Sequence, residues 1–138
     1  MSAVFRCFSG CAGTFPLTFA IYSCPSCGGL LEVHHDLSEL KKKSASEWKA
    51  LFRERQLETL APFASGVWSK KEWVMPELPQ EHIVSTGEGR SPLLRAERFG
   101  TYIDIDSLWV KQCGASHTGS FKDLGMTVLV SVVKHAMA

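Results

Sequence analysis

No stretch of the chain approaches the roughly 20 consecutive apolar residues of a membrane-spanning helix, so none is expected here. A dominant charge is missing as well: fifteen Lys plus Arg face fourteen Asp plus Glu, a formal net charge of +1. Near-neutrality removes the electrostatic ground for expecting nucleic acid or an anionic membrane as main partner. Residues 1–20 have neither the basic start nor the unbroken apolar run of a secretory signal. Their one charged side chain is Arg6, and Cys7, Gly10, Cys11, Gly13 and Pro16 interrupt the rest. The cytoplasm is the compartment this implies. Internal repeats and low-complexity tracts are absent too. What remains is 138 residues, 45% hydrophobic and 21% charged, about one ordinary domain with a single packed core.

Three sections divide the chain. Residues 1–36 hold four of the five cysteines and several glycines, with no helical period. In residues 37–100 a helical part precedes a loop-rich one. The spacing of Leu40, Trp48, Leu51, Phe52 and Leu60 predicts one long amphipathic helix over 37–62, capped by Asp36 or Ser38 and closed by Pro62. Pro76, Pro79, Gly87, Gly89 and Pro92 then limit residues 63–100 to short elements. Within residues 101–138, positions 107–112 read as a strand, 113–119 as a polar loop and 120–138 as a helix. That helix is apolar on nearly every side, which predicts burial inside a larger protein. Strand, loop and buried helix make half of a βαβ unit, so the class is α/β. Lacking its next strand, the unit points to the N-terminal portion of a longer protein.

Cys7-x3-Cys11 and Cys24-x2-Cys27 are separated by twelve residues. Two such knuckles can close four thiolates into a tetrahedron around zinc, with Cys7, Cys11, Cys24 and Cys27 as ligands. Reduced buried thiols and a redox pair are the alternatives; a reducing compartment disfavours disulfides. Cys113 has no partner nearby in sequence. His34 and His35 are adjacent on a predicted strand and point to opposite faces, so they do not share one metal.

Lys122 follows a Thr-Gly-Ser turn at the entrance of the last helix. The positive end of a helix dipole disfavours an ammonium there, and burial would add to the effect. A neutral lysine amine is the form that condenses with an aldehyde. An ordinary surface lysine in a first helical turn is the simpler alternative on composition alone. A P-loop is excluded: Gly119 precedes Lys122 by three residues and no Ser or Thr follows.

Three blocks in order, Gly87-Glu-Gly-Arg-Ser-Pro-Leu93, Leu108-Trp-Val-Lys-Gln112 and Thr118-Gly-Ser-Phe-Lys-Asp123 with Gly125-Met126, resemble the threonine synthases. Tyr22–Val33 and Ser65-Gly-Val-Trp68 look like the N-terminal segment of the same family, so the resemblance runs from about residue 5 onward. It implies an incomplete three-layer fold of the tryptophan-synthase-β-like type II class, preceded by a small zinc-ribbon-like segment. It further implies a lyase dependent on pyridoxal 5'-phosphate, converting O-phosphohomoserine and water to threonine and phosphate. Lys122 matches the family's cofactor lysine, Phe121 lies beside it, and Thr118 and Ser120 lie in the loop that meets substrate or cofactor. Threonine dehydratase and cysteine synthase share that cofactor fold; a zinc-ribbon binding module is the non-enzymatic alternative. The family usually carries Glu at Cys113, Asn-Pro at Ser116-His117, Arg at Leu124 and Asn-Thr at Arg90-Ser91. Most of the family's cofactor contacts lie beyond residue 138, so the chain alone is expected to be inactive. A homodimer or a complementing C-terminal part is the expected partner, with no nucleic acid and no membrane.

Overall fold

The computed structural model describes residues 3–138. The cysteine-rich segment folds around a three-stranded antiparallel sheet in the order β2-β1-β3, with β1 spanning Ala3–Cys7, β2 Thr14–Pro16 and β3 Leu31–His35. Phe5 lies opposite both Phe15 and Val33, and Cys7 opposite Leu31. This register carries Cys7 to the end of the sheet where the second knuckle leads into β3. His34 is exposed and His35 half-buried, as expected of neighbours on one strand.

The single long helix expected over 37–62 is corrected to two pieces. A 3₁₀ turn at Leu40–Lys42 stops at an extended Lys43, and α1 then spans Ala45–Arg55. Ser44, rather than Asp36 or Ser38, caps the helix. Its hydroxyl accepts the Glu47 N–H at 3.3 Å, while the Glu47 carboxylate accepts the Ser44 N–H at 2.7 Å. This reciprocal box satisfies first-turn donors locally and so starts a new helix. The preceding turn is folded back instead, because the Trp48 indole N–H donates to the Leu40 carbonyl at 3.1 Å. Trp48, Phe52 and Trp73 form an aromatic cluster with ring centroids 4.8–5.6 Å apart. Leu60 lies outside the helix and is exposed.

The loop-rich segment consists of short pieces, as the prolines and glycines require, yet it supplies the centre of the core. Trp68, Met75 and Leu78 are buried there, flanked by Val67, Val74, Ile83, Val128 and Val132. Around them lie a 3₁₀ turn at Trp68–Lys70, α2 (Lys71–Val74) and a 3₁₀ turn at Gln80–His82. Beyond these come β4 (Leu93–Arg95), α3 (Glu97–Tyr102) and β5 (Trp109–Lys111). Strands β4 and β5 pair antiparallel, with Leu94 opposite Val110. The described residues are therefore mixed α and β, with two small antiparallel sheets among them.

The last helix, α4, spans Asp123–Ala136, starting three residues later than expected. Within this chain its faces are unequally covered. The inward stripe is polar, made of Asp123, Thr127 and Ser131 at four-residue intervals, while Met126, Leu129, Val130 and Val133 stay about half exposed. The stripe serves the main chain of Val84, whose polar groups find their partners on it. Ser131 Oγ accepts the Val84 N–H at 2.8 Å, and the Thr127 hydroxyl donates to the Val84 carbonyl at 2.6 Å. Thr127 also accepts the buried Trp68 indole N–H at 2.9 Å, which bolts α4 to the core.

Candidate functional site

Lys122 occupies the N-cap position of α4, just before the first turn, and is exposed within this chain. Its backbone N–H donates to Ser120 Oγ at 3.3 Å, and among the described residues its ammonium takes no hydrogen bond or ion pair. The reason for its exposure lies one residue on. Asp123 takes the inward place in the first turn, and a residue beside it on the helix points away. Phe121 is likewise exposed.

Asp123 organises the lysine loop. Its carboxylate accepts the Ser116 hydroxyl at 2.5 Å, the Thr118 hydroxyl at 2.6 Å and the Thr118 N–H at 3.2 Å. Hydrogen bonds from Ser116 and then Thr118 hold its carboxyl below the ordinary aspartate value, against the opposing effect of burial. A carboxylate in a first helical turn also complements the helix dipole. Ser116 Oγ also lies 3.0 Å from the Ser120 carbonyl, so its one proton, directed mainly to Asp123, is shared across the loop that carries Thr118, Ser120 and Lys122.

The Gly87-Glu88-Gly89 turn is tied to this loop. Burial raises the Glu88 carboxyl, but hydrogen bonds from Ser85 and Thr86 outweigh it and hold the group below its usual range. Glu88 accepts the Ser85 hydroxyl at 2.7 Å and the Thr86 hydroxyl at 2.8 Å. Thr86 Oγ1 in turn lies 3.1 Å from His117 Nδ1, and His117 Nδ1 lies 3.7 Å from Asp123. Two acidic residues from separate blocks are thus linked through Thr86 and His117.

The four cysteines converge. The sulfurs of Cys7, Cys11, Cys24 and Cys27 all lie within 4.8 Å of one another, and Cys7 and Cys27 are 3.6 Å apart. Four thiolates at about 2.3 Å from a tetrahedral zinc are about 3.8 Å apart, so the quartet has the dimensions of a zinc site. Gly28, with φ +71°, turns the second knuckle so that its N–H meets the Cys24 carbonyl at 2.7 Å. The Cys11 backbone N–H is the main cause that brings the Cys7 thiol down to about 6. Contact with the Cys27 sulfur, then those of Cys7 and Cys24, pushes the Cys11 thiol up to about 12. Crowded thiolates repel, and a divalent cation relieves that repulsion. Cys113 lies outside the quartet.

No protein-family model matches the chain. It is 57% identical over 107 residues to "Threonine synthase 2, chloroplastic" of Arabidopsis thaliana, covering 77% of this chain and 21% of that protein. It is 40% identical over 126 residues to "Threonine synthase" of Methanocaldococcus jannaschii, covering 91% of this chain and 28% of that protein. A third relative, "Threonine synthase" of Methanosarcina acetivorans, is 33% identical over 121 residues. The chain is homologous to the threonine synthases. It spans about a fifth to a quarter of the length of these curated relatives.

The sequence expectation that Cys7, Cys11, Cys24 and Cys27 converge matches the geometry, whereas Ser120, Phe121 and Lys122, expected inside the last helix, precede it. Sequence reasoning missed Asp123 and Glu88 as the groups that shape the lysine loop. Ser and Thr at positions seven and five before an aspartate in a first helical turn were the available signal for Asp123. Ser116 and His117, noted as departures from the family pattern, prove to be partners of this carboxylate. Among the described residues, no helix is long and apolar enough to cross a membrane.

Proposed function

We propose that this chain is the lysine-bearing part of a pyridoxal-phosphate-dependent threonine synthase, acting on O-phosphohomoserine and water to give threonine and phosphate. Its homology to threonine synthases supports the reaction class, a lyase of threonine biosynthesis. The single observation that carries the reading is the unengaged amine of Lys122 on a loop held rigid by Asp123. A primary amine without a competing partner fits the cofactor's aldehyde. Lys122 is the residue that holds the cofactor, with Phe121 beside it. When bound, pyridoxal phosphate supplies the electron sink that stabilises negative charge next to the substrate amino group. Lys122 Nζ then serves as the proton carrier. Ser120 and Thr118 are the hydroxyls nearest it in sequence for substrate or cofactor; Thr118 donates to Asp123 and retains an acceptor site.

The whole fold belongs to the three-layer type II class in this reading, and this chain contributes its lysine side. Lys122 and Phe121 face solvent, so the 138-residue chain by itself does not exclude water from the reacting centre and turns over no substrate. Catalysis requires further polypeptide of the threonine synthase type to close over the loop, in the same chain, a complementing chain or a homodimer. Zinc held by Cys7, Cys11, Cys24 and Cys27 is structural, since four sulfur ligands leave no open position.

Borohydride reduction of the chain with pyridoxal phosphate, followed by peptide mapping, tests the lysine. The pyridoxyl group is expected on Lys122 ahead of every other lysine; an even spread of label, or preference for another lysine, refutes the assignment. Phosphate release from O-phosphohomoserine by the purified chain is expected to be nil, and saturable turnover refutes the claim of inactivity.

A further inference from the structure

Away from the lysine loop, a cavity of about 340 Å³ opens between the Trp68–Lys70 turn, the Gly89–Ser91 turn and the end of β5. Lys70, Arg90 and Lys111 all line it, together with Ser69 and Ser91, and no acidic residue does. We propose that this cavity is a binding site for a phosphomonoester, gripped by Lys70, Arg90 and Lys111. The inference is independent of the cofactor reading, because Lys122 does not line the cavity.

The three cations come from positions far apart in sequence, and the packing forces them together. Gly66 crosses Gly89 so closely that a Cβ on Gly66 would overlap the Gly89 carbonyl group. This contact sets the Lys70 turn against Arg90. Lys111 is pinned at the same place, donating to the Ser91 carbonyl at 2.6 Å. Lys70 donates to the Gly66 carbonyl at 3.1 Å, and Arg90 to the carbonyls of Arg55 and Glu58 at 3.2 and 3.0 Å. All these acceptors are neutral. Among the described residues none of the three cations has a carboxylate partner, although Arg55 nearby forms a two-pronged pair with Glu72.

Like charges gathered without counterions raise one another's energy, and this adds to the effect of burial at Lys70. Burial first, then the charges of Lys111 and Arg90, lower its pKa from the ordinary lysine value. A dianion relieves all three at once, and serine hydroxyls beside lysine and arginine match phosphate oxygens. The volume lies at the lower end of the about 300–1,000 Å³ range of small-molecule sites, which leaves room for an organic group on the phosphate.

Titration calorimetry and ³¹P NMR of the full 138-residue chain at low ionic strength test the proposal, with inorganic phosphate, phenyl phosphate and acetate as probes. Saturable binding of phenyl phosphate is expected below about 10 mM, and inorganic phosphate binding weaker than it. Lys70→Ala and Lys111→Ala should each weaken binding about tenfold or more, while Lys70→Arg retains most of it and Lys41→Ala changes nothing. Equal binding of inorganic and phenyl phosphate would assign the site to free phosphate and overturn the organic ligand. Acetate binding as tightly as either phosphate would assign the cations to a protein carboxylate, and no saturable binding would refute the site. Unchanged far-UV circular dichroism of each variant separates loss of binding from loss of fold.

Discussion

Thr127→Val removes one oxygen and leaves the side-chain shape almost unchanged, yet it should be among the more damaging single substitutions in this chain. The Thr127 hydroxyl accepts the Trp68 indole N–H at 2.9 Å and donates to the Val84 carbonyl at 2.6 Å. Trp68 is 0% exposed and Thr127 5%, so water cannot replace the lost acceptor. The Val84 carbonyl keeps Ser131 Oγ at 3.3 Å, although its one proton goes first to the Thr127 carbonyl at 2.6 Å, and the indole N–H keeps nothing. An unpaired buried donor costs about 1–3 kcal/mol, and about 2 kcal/mol is the expected loss here. With a urea slope of about 2 kcal/mol/M, the unfolding midpoint should fall by about 1 M. The assay is urea unfolding followed by circular dichroism at 222 nm, run as a double-mutant cycle with Trp68→Phe. Removing the donor first should make the second substitution cheap, with Thr127→Val costing less than about 1 kcal/mol in the Trp68→Phe background. A loss under about 0.5 kcal/mol in the native background, or the same loss in both backgrounds, refutes the reasoning. The stake is functional, since this bond fixes the helix whose entrance carries Lys122.

Asp123 has a folded pKa below its ordinary value of 3.8, so its contribution is full above that value and is lost as pH falls through and below it. Thermal melts from about pH 5 down to about pH 2.5 should therefore fall less steeply for Asp123→Asn than for the native chain; parallel curves would show that the Ser116 and Thr118 bonds do not act in this way. Gly66→Ala drives a Cβ into main-chain atoms of Gly89, which cannot rotate aside, and should cost about 3 kcal/mol or more. Gly125→Ala is the control, because a Cβ there meets nothing within 4 Å and Gly125 lies inside α4, so stability should rise by up to about 1 kcal/mol in urea unfolding. Metal analysis should find one zinc per chain, lost with Cys24→Ser, and cobalt in its place should give the intense near-ultraviolet charge-transfer bands of thiolate ligation; a metal-free native chain with an unshifted melting temperature in chelator would refute the structural zinc.

Chemistry that lies within reach of a few neighbouring residues is legible in the sequence itself. Two cysteine knuckles bring thiols together because each is a local turn, and only their meeting needs the β1–β3 pairing. The prolines and glycines of residues 63–100 restrict the backbone whatever surrounds them, and the strand at Trp109–Lys111 and the helix after Lys122 follow from local pattern. The broken helix is less legible. Leu40 and Trp48 have a shared-face spacing, but Ser44 and Glu47 compete for the same backbone donors and win by capping each other.

Residue order alone thus determined the two cysteine knuckles, the short elements and the position of Lys122 at a helix entrance, since each depends on spacing or on φ and ψ preferences of neighbouring residues. Tertiary structure decided the rest: Trp68 at the centre, a polar stripe of α4 turned inward to serve Val84, Asp123 shaping the lysine loop, and Lys70, Arg90 and Lys111 around one cavity. These outcomes join residues tens of positions apart, and their energies come from burial and from unpaired polar groups. Such terms exist only once distant segments have closed on one another and shut out water.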